Sequence, residues 1–432
     1  MHSSIRRLAV GSAALALAFV VTAGNALADD PWSVKWSNGF SVESPDKKFA
    51  LKFGGRVQAD WTFADVDPGL LVVLGSEEGS GASAVFVPAS ITDGNEFRRA
   101  RLFVSGTIYE KVEFKVQYDF AGGDADFKDL YVGILDTPVG NIRVGHFKEP
   151  FSLEELTSSK YITFLERSLP NAFAPGRNTG IMLHDHRGDR LTWAAGAFRD
   201  ADDFGVTSDG DGKLSLTGRI SGLPVYEDGG QRLVHLGFGY SDRDLGMDSF
   251  RYRARPEAHQ VPVRFVDTGG FSAEGVGVYN LEAAGVFGRF WFAAEHMQAD
   301  VDASSLGDPG LGGGYYQAGV FLTRGDHRRY KAKAGTFDRN RPARNFGQGG
   351  PGAWEIAVRL SDIDLIDAGL GGGELENVTF AVNWYLNPAT RVMFNYVMSD
   401  LDRTEDFADT IGTVSVDDAG GDFALVRFQV DF

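Results

Sequence analysis

The chain contains no cysteine, which removes disulfide frameworks, thiolate metal sites and cysteine nucleophiles together. Beyond residue 28 it has no run of 18 apolar residues, so a membrane-spanning helix is excluded there. Positive charge is in deficit: 42 Lys and Arg stand against 59 Asp and Glu in 432 residues, a formal net charge of −17. Without a leader that carries Arg6 and Arg7, 40 basic residues remain and the balance is −19. That argues against a nucleic-acid binder. It leaves room for an anion pore, because a pore responds to its local field and not to net charge. Pro-rich linkers, Gln or Ser tracts and abrupt shifts of composition are also missing, so no domain boundary is visible.

What is present begins with an export signal. Arg6 and Arg7 precede an apolar stretch, Leu8 to Val21, and Ala26-Leu27-Ala28 is a small-residue cleavage site. The expected cut falls before Asp29, giving a signal peptide at 1–28 and one domain at 29–432. The apolar stretch is short for a span and is broken by Gly11 and Ser12. An exported chain that enters a membrane without helices has one option, a closed barrel, in which every backbone group is paired internally.

Alternation over about ten residues carries that option. Leu51, Phe53, Val57, Ala59 and Trp61 alternate with Lys52, Arg56, Gln58, Asp60 and Thr62. Val112 to Phe120, Val378 to Leu386 and Ala424 to Phe432 repeat the pattern. The polar face, rich in Arg, Lys, Asp and Gln, suits a water-filled lumen; the apolar face ends in Trp, Tyr and Phe, as interfacial girdles do. Short turns at Asp136–Gly140 and Leu386–Ala389 contrast with longer Gly- and Asp-rich stretches near 64–94, 201–212, 302–314 and 401–420. About seventeen segments qualify as strands; a single-chain barrel prefers an even number, and sixteen is the expectation, with 243–275 the least legible region. The terminal Phe432, with Val430 and Phe428 on its face, looks like an assembly signal for outer-membrane barrels.

The candidate chemistry is basic. Arg56 takes lumen parity on the first strand, and Arg99 and Arg101 take it on the second, opposite Ala100 and Leu102. Arg98 has the wrong parity, so it must lie above the apolar band or at a bent strand end; facing lipid at mid-membrane it would cost about 2–4 kcal/mol. Clustered guanidiniums suit oxyanions, being always charged and offering planar forks of donors. The alternative is that these arginines pair with lumen carboxylates such as Asp60 and stiffen the wall. The amphipathic stretch 148–177 is a candidate constriction loop; a loop covering a neighbouring subunit is the alternative. His184 and His186 lack a third metal ligand. Asp209-Gly210-Asp211-Gly212-Lys213 resembles a calcium loop but has Lys where an oxygen is needed. Gly371-Gly372-Gly373 lacks the strand–helix context of a nucleotide loop, and no Ser/His/Asp set shares a face.

Several blocks then resemble the phosphate-selective porin O/P family: Phe97-Arg98-Arg99-Ala100-Arg101-Leu102, the stretch 140–180, Arg253-Ala254-Arg255-Pro256-Glu257, Gly352-Ala353-Trp354-Glu355 and 383–397. The resemblance implies an all-β, sixteen-stranded outer-membrane barrel that assembles as a homotrimer in lipid and lipopolysaccharide. It implies inward-folded loops, and an arginine cluster that binds phosphate at the constriction. The matching positions are Arg56, Arg98 and Arg99, with Arg101, Lys128, Lys160 and Glu155 as further pore-lining candidates. Two departures stand out. Phosphate-selective relatives carry Lys where this chain has Glu155, beside Glu154, and an acidic residue where it has Lys128; Lys160 remains. The expectation is a passive anion channel, with no cofactor, metal or chemical step. The rivals are a weakly selective general porin, an outer-membrane enzyme, and a plugged structural or adhesive barrel.

Overall fold

The alternating segments close into a wall. The computed structural model describes residues 32–36, 39–79, 83–123, 125–206, 213–407 and 410–432; the expected leader 1–28, and residues 209–212 of the calcium-like run, lie outside them. Sixteen barrel strands occur among the described residues: β1 Phe49–Val66, β2 Gly94–Ile108, β3 Val112–Asp119, β4 Asp126–Thr137, β5 Gly140–Lys148, β6 Arg177–Arg187, β7 Leu191–Arg199 and β8 Ser215–Glu227, then β9 Arg232–Asp244, β10 Gly275–Phe287, β11 Phe290–Asp302, β12 Gly310–Phe321, β13 Ala353–Asp367, β14 Leu370–Asn387, β15 Thr390–Phe407 and β16 Gly412–Asp431. Each pairs antiparallel with the next, and β16 returns to β1 from Asp431↔Arg56 to Gly421↔Val66. Closure leaves no sheet edge in the membrane, which a lipid-embedded backbone requires.

The seam ends tightly. Gly55 N–H donates to the Phe432 carbonyl at 2.7 Å, and Phe432 N–H returns a bond to Gly55 at 3.1 Å. A Cβ on Gly54 would lie 2.4 Å from the Phe432 oxygen, and one on Gly55 would lie 2.5 Å from that of Arg101, so this approach needs glycine at both places. Below the seam a short hairpin, Ser33–Trp36 with Phe40–Glu43, pairs with Ala50–Phe53 and continues the wall where β16 stops.

The faces separate as alternation demands. On β1, Val57, Trp61 and Phe63 are exposed on the outer surface, while Arg56, Gln58, Asp60 and Thr62 are buried inside. One expected loop is shorter than its Gly-rich stretch, and another is instead strand. Within 302–314 the connection is 303–309, with a helical turn at Ser304–Leu306, and 310–314 open β12, where Gly313 allows the close approach of the Asp362 carbonyl. The run 401–420 extends β15 and β16 into one long hairpin. The region 243–275 is a loop, 245–274, with two short ladders of its own.

The interior is not uniformly wet. The segments 149–176 and 245–274 fold in from one end. The 322–352 segment, between β12 and β13, folds in from the end that holds the carboxyl terminus, and no local pattern marks it in advance. Phe151, Leu165, Leu169 and Phe173 pack with Phe265, Met393 and Phe423. Leu153 and Phe164 pack with Trp291, Tyr315, Phe321 and Phe337. Each such burial contributes about 1.5–3 kcal/mol, so the barrel has an apolar core after all. The core fills the β9–β16 side and leaves the β1–β8 side open.

Candidate functional site

The open side holds two cavities. One, of about 710 Å³, runs past β1 to β8 and the inner segment 331–338. Eleven of its lining residues are Arg or Lys and three are Asp, so a net-acidic chain carries a locally positive lumen. The other, of about 680 Å³, lies towards the amino-terminal hairpin and includes Lys52 and Lys160. Arg56, Lys115, Gln117, Tyr131, Ser158 and Tyr161 line both. These six form a neck between wall and constriction loop.

Most cations around the cavities are matched. Arg101 holds Asp119 at 2.6 Å, Arg143 holds Glu113 at 2.8 Å and Arg177 holds Asp129 at 2.8 Å. Lys115 also binds Asp129. Arg56 differs: its Nη1 donates to Ser159 Oγ at 2.5 Å, and among the described residues it forms no ion pair. Lys331 and Lys333, on the inner segment 322–352, also form none among the described residues.

A bulge resolves the parity of Arg98. Pairing runs Arg56↔Arg101, Val57↔Ala100 and Gln58↔Arg99, then slips to Ala59↔Phe97. Arg98 is the extra residue, so two successive arginines turn inward. Arg98 does not line either cavity. Its Nε and Nη2 grip the two oxygens of Glu166 at 2.9 and 3.0 Å. Arg99 lines the larger cavity, donates from Nη1 to Gln58 at 2.9 Å and lies 3.8 Å from Glu166. Burial opposes ionisation of Glu166, but Arg98, Arg99 and Arg427 outweigh it and hold its pKa well below the usual carboxylate range.

Both departures from the family pattern find partners. Glu155 sits between Lys148 at 2.7 Å and Arg167 at 3.1 Å. Burial works against its charge, but Arg167 and Lys148 prevail and bring its pKa to about 2. Glu155 therefore does not face the cavity, whereas Lys148 and Arg167 do. Lys128 lies 3.6 Å from both Asp126 and Asp203, away from the cavities. Lys160 lines the smaller cavity, 3.9 Å from Asp431; burial and then Arg56 push its pKa down to about 7. His184 lines the larger cavity, and His186 Nδ1 lies 3.1 Å from the Gly188 carbonyl.

The loop is fixed by buried wall groups. Glu295 accepts the backbone N–H groups of Leu153 and Glu154 at 2.9 and 2.7 Å, at the start of the helical turn Leu153–Leu156. It also accepts from Tyr315 Oη at 2.7 Å. Arg391 donates to the Ile162 carbonyl at 2.7 Å and Arg427 to that of Leu165 at 2.6 Å. Lys115 was legible as an inward residue on its strand; Arg177, Lys331 and Lys333 gave no signal beyond their charge.

Residues 89–432 match the family model described as phosphate-selective porin O and P. Porin O of Pseudomonas aeruginosa is 28% identical over 475 aligned positions, covering 99% of this chain and all of that protein. An uncharacterized protein of Caulobacter vibrioides is 30% identical over 380 positions, covering 86% of this chain and 73% of its own length. The trimer form of in-vitro folded OmpT, an outer-membrane protein of Vibrio cholerae, superimposes with a TM-score of 0.51 over 88% of this chain and 99% of its own. At 12% identity that likeness concerns the fold.

Proposed function

The chain belongs to the phosphate-selective porin O and P family, is a passive outer-membrane channel for small anions, and we propose that phosphate or a related oxyanion dwells at the neck, on Arg56. The carrying observation is that two cavities meet at a guanidinium with no carboxylate partner among the described residues. A planar fork there can replace water that the anion sheds. Lys115 and Lys160 flank it, and Arg99 lines the approach. Arg98 belongs to the site through Glu166, not by touching the anion. Binding must recruit anions and still release them; no cofactor or chemical step enters. The homotrimer, the contacts with outer-membrane lipid and lipopolysaccharide, and the cleaved 1–28 leader are part of this proposal.

A second reading, a general porin with balanced walls, is favoured by the pairing of Arg101, Arg143 and Arg177 with Asp119, Glu113 and Asp129. Single-channel recording in chloride, with phosphate titrated in, separates the two. Saturable block supports the oxyanion site; conductance without block supports the general porin.

A further inference from the structure

Glu166 stands where an anion would. Its carboxylate accepts from Nε and Nη2 of Arg98 and from Arg427 Nη2 at 2.8 Å, and lies 3.8 Å from Arg99. A carboxylate and a phosphate present the same pair of oxygens to a guanidinium fork. The cluster is wired to the neck: Arg99 donates to Gln58 at 2.9 Å, Gln58 donates to the Ser159 carbonyl at 3.1 Å, and Ser159 Oγ accepts from Arg56. The chain has other anchors at this point besides the carboxylate. The Glu166 backbone carbonyl accepts from Arg359 at 3.1 Å, and Leu165 N–H donates to Asn395 at 2.7 Å.

We propose that Glu166 is a built-in competitor, occupying an oxyanion site formed by Arg98, Arg99 and Arg427 and so limiting how tightly the channel holds a permeating oxyanion. With Glu166 present, three guanidiniums face two carboxylates, its own and that of Asp60, which Arg427 grips at 2.7 and 2.6 Å. Without its charge the cluster gains a vacant positive site one relay from the neck. The proposal rests on the oxyanion reading above.

The test is Glu166→Gln in planar bilayers, with inorganic phosphate as the probe in potassium chloride. The half-blocking concentration of phosphate should fall at least about tenfold, as one added charge-assisted hydrogen bond would produce. The chloride reversal potential should shift towards higher anion selectivity. The double variant Arg98→Gln/Glu166→Gln restores the charge balance and should bring both readouts back towards wild type. It also serves if the single variant does not fold. Unchanged block and unchanged reversal potential in Glu166→Gln overturn the proposal. So does a larger, less selective conductance that the double variant fails to correct, since the carboxylate would then merely hold the loop. If wild type shows no phosphate block, the oxyanion reading fails instead. The reversal potential then still decides Glu166: a shift supports its role, and no shift overturns it.

Discussion

Arg56 Nη1 donates to Ser159 Oγ at 2.5 Å, joining the first barrel strand to the constriction loop across 103 residues of sequence. The wall side is fixed by the seam at Gly55 and Phe432. The loop side is fixed by Gln58, which donates to the Ser159 carbonyl. Ser159→Ala removes one hydrogen bond from a charged donor, worth about 1.5–3 kcal/mol, and should lower the melting temperature only slightly. It frees the guanidinium to swing, so phosphate block should weaken several-fold. Equal block in the variant would show that the hydroxyl does not orient Arg56.

Arg427 is the opposite case. It is fully buried and holds Asp60 and Glu166. Arg427→Ala strands the buried Asp60, while Glu166 keeps Arg98, and breaking a buried pair costs about 3–5 kcal/mol. The folded barrel should lose heat resistance, measured by the temperature at which it unfolds in detergent.

The alternation was legible because a strand's period of two shows in any stretch that separates lipid from water, as Val57 and Trp61 separate from Arg56 and Asp60. Arg56 followed from parity alone. Arg98 did not, because its inward turn comes from a register slip against β1, which no local pattern records. Gly312 to Gly314 read as loop, yet they lie in a strand, and glycine is needed at Gly313 because the Asp362 carbonyl comes too close for a side chain. The importance of Lys115 depends on which half of the lumen stays open. That was set by three distant segments, one of which, 322–352, looks in sequence like an ordinary connection.

Lys160 gives the channel a pH dependence. Burial and Arg56 hold its pKa at about 7, so it is charged below that value and loses its charge above it. The groups facing it are Arg56 and Lys115 from the wall, Arg339 from the inner segment, Asp431 at the end of β16, and the neighbouring Tyr161 ring. Anion selectivity in chloride should fall as pH rises through about 7. Lys160→Gln should flatten that dependence at the lower, high-pH value. A wild-type channel with constant selectivity across this range would contradict the assignment.

Glu295 should govern the width of the pore. It caps the helical turn of the constriction loop through two backbone N–H groups. Each such hydrogen bond contributes about 0.5–1.5 kcal/mol. Glu295→Ala should loosen the loop, raising single-channel conductance and lowering selectivity in recordings of the refolded protein. Unchanged conductance would mean that the apolar packing of Leu153 and Phe164 holds the loop unaided.

The central claim is that an oxyanion dwells on Arg56. The most direct measurement is phosphate block of the chloride current, compared between wild type and Arg56→Ala in planar bilayers. The expected result is saturable block in wild type and a half-blocking concentration raised about tenfold or more in the variant, the loss of a charge-assisted bond, with barrel stability retained. Equal block in both proteins would contradict the account.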